Sequence, residues 1–167
     1  AFASMEAIYG LWSEENFGWS ASDLGWAFLA IGAGGFIAQV FLLGPLVARF
    51  GEARVIVLGL AILSLSMLLQ PIIRTPASGV LLMGLLMTGH SLAFPTSGAL
   101  ISRNTAPERQ GSTMGLLMAS NAFSRIVAPP LFGAFYGAIA HDSPWYVGTA
   151  MIGLVIVLAL QLVGQTA

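Results

Sequence analysis

GSTMGLLMASNAFSRIVAPPLFGAFYGAIA, residues 111–140, runs for thirty positions with a single charged side chain, Arg125, close to its centre. A helix needs only about 20 mostly apolar residues to cross the hydrocarbon of a bilayer, so this stretch reads as a membrane span with length to spare. It therefore sets a guanidinium near mid-membrane. Insertion scales put that placement at about 2.5–3.5 kcal/mol, which directs the side chain toward a helix bundle or a wet cavity and away from lipid. On a helix, Met114, Met118, Asn121 and Arg125 form one row, and Gly111, Gly115 and Ala119 form a small-residue row suited to close helix contact.

The whole chain carries the same signal. Of its 167 residues 57% are hydrophobic and 8% charged, with a mean hydropathy of +0.87, far outside the composition of a soluble domain. It reads as an all-α integral membrane protein. Net charge is −1, with no lysine and no basic run, which leaves nucleic acid without an electrostatic footprint. The absence of cysteine removes disulfides, thiol catalysis and cysteine-ligated zinc. The opening AFAS lacks an initiator Met and reads as the start of a truncated piece.

From this centre outward, six spans are expected at about 1–13, 24–48, 55–73, 77–101, 111–140 and 144–163. The first would be only about 20 Å long at 1.5 Å per residue, too short for the roughly 30 Å hydrocarbon core, so it reads as incomplete. It holds Glu6, with Tyr9 and Ser13 expected on the same side, either as a membrane-embedded protonatable carboxylate or as an interfacial acid. The second span is rich in small residues (Gly25, Gly32, Gly34, Gly35, Ala38), expected to allow close approach, and contains Gln39, which suits an interhelical hydrogen bond. The third, 55–73, looks lipid-facing. In the fourth, Met83, Met87, His90, Phe94 and Ser97 share a stripe that Pro95 should bend, and His90 is either a packing imidazole or a proton relay. Trp145 and Tyr146 open the sixth as an expected interfacial anchor.

Arginines in alternate loops set the orientation. Arg49, Arg54, Arg103 and Arg109 lie on one side and Arg74 alone on the other, so the first side is expected to be cytoplasmic. No GxxxxGK[ST] phosphate loop and no HExxH spacing occur, so no cofactor, metal or ATPase engine is implied. The remaining chemistry is a set of polar groups at membrane depth: Glu6, Gln39, His90, Asn121 and Arg125. Such residues line substrate and ion paths in transporters. A carboxylate that pairs alternately with an arginine and a proton can couple two fluxes, because the arginine depresses its pKa and its departure raises it.

Several runs carry a family resemblance: Ser4-Met5-Glu6 through Tyr9-Gly10-Leu11-Trp12 to Phe17-Gly18-Trp19, GPLVARFGEAR at 44–54, APERQG at 106–111, and RIVAPP at 125–130 with Gly133. Together they resemble the C-terminal half of major facilitator superfamily transporters, most of all drug:proton antiporters of the tetracycline-efflux type. The resemblance covers essentially the whole chain. It implies one half of a major facilitator fold, a six-helix bundle whose partner is a missing N-terminal six-helix half, in the plasma membrane. It implies small organic cargo and protons as ligands, and a rocking motion about a midplane site. It makes the first and fourth spans cavity-lining, the second and fifth the contact with the missing half, and the third and sixth lipid-facing. The 44–54 loop resembles a second copy of the family's cytoplasmic gating motif, with Gly44, Arg49, Gly51 and Arg54 as its landmarks and Ala48 where the family has an acid.

Two other readings stand beside the transporter. Thr96-Ser97-Gly98 with His90 nearby suggests an intramembrane serine hydrolase, although the two side chains lie seven residues apart on one helix, roughly 10 Å along its axis. A structural membrane subunit is the third.

Overall fold

Local sequence signals set where each helix begins and ends. The computed structural model describes residues 2–165; Ala1, where the first expected span begins, and Thr166 and Ala167 lie outside the described residues. Helix α1 is Phe2–Phe17. After a three-residue break, Ser20 caps α2 (Ala21–Ile37): its hydroxyl accepts from the Asp23 N–H, and the Asp23 carboxylate accepts in return from the Ser20 N–H at 2.9 Å. A wide π turn, Ala38–Leu42, leads into α3 (Leu43–Phe50). Pro45 accounts for that turn, because its ring would collide with the carbonyl four residues back in a regular α-helix. Gly51, at φ 81° and ψ 160°, then breaks the rod, and α4 (Glu52–Leu69) departs in a new direction. Thr75 and Ser78 form the capping box of α5 (Pro76–Arg103), with Pro76 in the first turn where its missing N–H is harmless. A 3-10 turn, Pro107–Arg109, precedes α6 (Gln110–Ala138), and α7 is Ser143–Gln165. No strand occurs among the described residues.

Among the described residues, four rods are long and apolar enough to cross a membrane: Ala21–Phe50, Glu52–Leu69, Pro76–Arg103 and Ser143–Gln161. Helix α1 is too short at 16 residues. Helix α6 has the length but is diluted by Asn121, Arg125 and its serines, the polarity that singled it out in the sequence.

Helices α4 and α5 form the most extensive contact; α2 lies on the other side of α5, α7 on α4, and α1 packs mainly on α6. Without a hydrophobic drive between helices in lipid, such contacts depend on close van der Waals packing, which small residues permit. Gly59 and Gly89 bring α4 and α5 backbone to backbone, and Gly35 brings α2 onto Met87 of α5. The third span is therefore not simply lipid-facing: Val55, Gly59, Leu63, Ser66 and Met67 are buried, and Leu58, Leu65 and Leu68 face out. The small residues divide in the same way. Gly25, Gly32, Gly34, Gly111 and Gly115 have nothing within 4 Å of where a Cβ would lie, so among the described residues they allow no close helix approach.

An aromatic cluster joins α1 to α7. Tyr9, Trp12 and Trp145 are buried, with ring centroids 5.6 Å apart for the two tryptophans and 6.5 Å for Tyr9 and Trp145. Each such edge-on pair is worth about 0.5–1.5 kcal/mol beyond its burial. This corrects two expectations: Trp145 is a core residue and not an interfacial anchor, and Tyr9 and Ser13 point into the core while Glu6 stays half-exposed.

Candidate functional site

Glu6 and Arg125 meet across the seam between α1 and α6. Arg125 Nη2 lies 3.8 Å from Glu6 Oε2, with the side chains 61% and 51% exposed respectively. The separation is that of an ion pair without a hydrogen bond. In water such a pair contributes little. In the lower dielectric of a bilayer such an attraction is stronger, and a carboxylate is the kind of partner that a guanidinium there requires.

Beside it lies a cavity of about 240 Å³ lined by Glu6, Phe28, Ile31, Gly32, Met83 and Met87, so α1, α2 and α5 all contribute. Its wall is apolar and polarizable, and its charged group is the Glu6 carboxylate. The α5 stripe thus splits. Met83 and Met87 face the cavity; His90, half-buried, stacks on Phe94 with ring centroids 5.5 Å apart and planes 8° from parallel. Asn121 is half-buried on α6, one turn before Arg125. Gln39 is exposed within the π turn, away from this cavity. Of the five polar residues singled out in the sequence, Glu6 and Arg125 form a pair, Glu6 lines the cavity, and the Arg125 charge reaches His90, whereas Gln39 lies apart on the π turn.

At the arginine-rich end, Arg49 lies 5.5 Å from the ring of its neighbour Phe50, Gly51 makes the sharp turn, and Arg54 is exposed on the first turn of α4. Gly44 lines a second cavity of about 470 Å³ with Val47, Ala48, Glu52, Pro95 and Thr96. The ion pair here joins Glu52 to Arg103 at 3.0 Å, tying α4 to α5. Sequence reasoning passed over Glu52. The available signal was its place in the first turn of α4, with Arg103 in the last turn of α5, where each is favoured by the helix dipole.

The opposite end holds a cluster that sequence reasoning did not assemble. Asp142 accepts from the Trp12 indole N–H at 3.1 Å and pairs with Arg74, which also donates to Asn16 at 3.3 Å. Glu15 accepts from Tyr136 and lies 2.9 Å from His141 Nδ1. Trp12 and Asp142 are 130 positions apart in the chain, Asn16 and Arg74 58, and no spacing rule links them. No grouping of three or more His, Cys, Asp or Glu able to hold a metal occurs among the described residues.

Comparison with known proteins adds a family. Residues 1–166 match the Major Facilitator Superfamily. The chain is 31% identical over 148 residues to the class C tetracycline resistance protein of Escherichia coli, covering 87% of this chain and 37% of that protein. It is 30% identical over 148 residues to the class G tetracycline resistance protein of Vibrio anguillarum, with the same two coverages. Multidrug resistance protein 2 of Bacillus subtilis is 28% identical over 154 residues, 90% of this chain and 37% of that protein. The chain thus spans a little over a third of the length of the curated relatives it matches.

Proposed function

This chain belongs to the Major Facilitator Superfamily, and on that premise we propose that it is the C-terminal six-helix half of a proton-coupled exporter of small organic molecules. As part of a major facilitator transporter it is a multi-pass integral protein of the plasma membrane, and it is not an enzyme. The hydrolase reading also lacks a geometry: the Ser97 hydroxyl donates to the Ala93 carbonyl at 2.7 Å, and His90 stacks on Phe94 of the same helix. The observation that carries the proposal is the Glu6–Arg125 pair bordering an apolar cavity.

The proposed cycle uses that pair. With Glu6 ionised, Arg125 holds α1 to α6; a proton on Glu6 releases the arginine and biases the bundle toward its other conformation. The exposed apolar faces of the α2–α3 rod (Trp26, Phe36, Phe41) and of α6 (Leu116, Phe123, Ile126) are assigned to the N-terminal half and the bilayer. Gly44, Arg49, Gly51 and Arg54 form the cytoplasmic gate, with the Glu52–Arg103 pair beside them. Cargo crosses by alternating access as the two halves rock.

The test uses the full-length protein in everted membrane vesicles. Tetracycline uptake driven by an imposed pH gradient is expected in the unaltered protein and is abolished or uncoupled by Arg125→Ala and by Glu6→Gln, at unchanged yield and thermal stability in detergent. Normal proton-driven uptake in both variants would defeat the assignment.

A further inference from the structure

Two glycines one turn apart on α2 have opposite surroundings. A Cβ on Gly35 would lie 2.6 Å from Met87 Cγ and 3.2 Å from Ser91 Oγ, so α2 and α5 are in close contact there. A Cβ on Gly32 would meet nothing within 4 Å. Between these positions the two helices diverge, and the space that opens is the 240 Å³ cavity lined by Gly32, Phe28, Met83, Met87 and Glu6. Gly35 closes its end and Gly32 is the gap in its wall.

We infer that this cavity seats an apolar, ring-bearing small molecule and that the absent side chain of Gly32 sets the largest ring system it admits. Phe28 offers a face for stacking, and the thioethers of Met83 and Met87 make favourable contacts with aromatic rings and adapt to varied outlines. The Glu6 carboxylate at the rim favours a ring system carrying a positive charge or a hydrogen-bond donor. A Cβ added at Gly32 meets no protein atom within 4 Å, so a side chain there is expected to take up cavity space and leave the contact at Gly35 in place. The inference rests on the transport reading for what the cavity is used for, but the size limit can be measured without any flux.

The test places a thiol in the cavity as Met87→Cys in the full-length protein, with any cysteines of the remaining chain replaced. Two reagents are compared: a small one, methanethiosulfonate ethylammonium, and a ring-bearing one, monobromobimane. Both are expected to label with Gly32 present. Gly32→Leu should slow the bimane at least about tenfold and the small reagent by less than about threefold, because the cavity keeps room for the one and not the other. Melting temperature should stay constant for Gly32→Leu. In the protein that keeps Met87, Gly35→Ala, which forces that side chain to move, should lower it. Equal bimane rates before and after the Gly32→Leu substitution, or no labelling with Gly32 present because the rest of the protein fills the space, would overturn the inference. Neither result bears on the Glu6 and Arg125 flux measurements, so the two readings fail separately.

Discussion

Gly59 of α4 and Gly89 of α5 touch through their backbones: a Cβ on Gly59 would lie 2.7 Å from the Gly89 carbonyl oxygen, and one on Gly89 2.5 Å from that of Gly59. Backbone cannot rotate away as a side chain can. Gly59→Ala and Gly89→Ala should each destabilise the protein by about 1–3 kcal/mol, the cost of overpacking a close contact. Gly153→Ala on α7, with nothing within 4 Å, should be neutral or slightly stabilising. Melting temperatures in detergent check the contrast, and equal effects at all three positions would contradict it.

Gly51 occupies a backbone conformation, φ 81° and ψ 160°, that residues with a Cβ adopt only under strain. Gly51→Ala should therefore cost about 1–3 kcal/mol even though no atom lies within 4 Å of the new methyl. The measurement is the melting temperature, with Gly44→Ala as the control that has the same open space and helical backbone. A Gly51→Ala protein as stable as that control would show that the turn relaxes.

Asp142 serves two partners, and two substitutions separate them. Asp142→Ala leaves the buried Trp12 indole N–H without its acceptor and should cost about 1–3 kcal/mol. Asp142→Asn keeps an acceptor for Trp12 and loses the charge facing the half-exposed Arg74, a smaller loss of about 1 kcal/mol or less. Thermal melts at low and high salt read the difference. Equal losses would make the ion pair the main contribution.

Ser97 is engaged within its own helix, donating to Ala93 at 2.7 Å. Ser97→Ala should change stability by no more than about 0.5 kcal/mol and leave transport intact. The unaltered protein should resist labelling by a fluorophosphonate, which reacts with activated serines. Covalent labelling lost in the alanine variant would revive the hydrolase.

The helices and their breaks were largely legible because their causes are local. Ser20 with Asp23, Thr75 with Ser78, Pro76 and Gly51 each act within a few residues of where they stand. Arg125 was legible because a charge in a long apolar run has few tolerable places. The errors came where a residue's surroundings depend on another helix. Trp145 carries the composition of an interfacial anchor and sits in the core, because α1 brings Tyr9 and Trp12 against it. Gly32 and Gly35 are the same residue type on the same helix; only the path of α5 makes one a contact and the other an opening.

Composition and periodicity alone determined that this chain is helical, belongs in a bilayer and carries a guanidinium in the middle of a long apolar run, since hydropathy and turn chemistry are properties of neighbouring residues. Tertiary structure decided that Glu6 and Arg125, from helices far apart in the chain, stand 3.8 Å from one another beside a cavity. Pairing across helices depends on how their backbones cross, as where α4 and α5 bring Gly59 and Gly89 together.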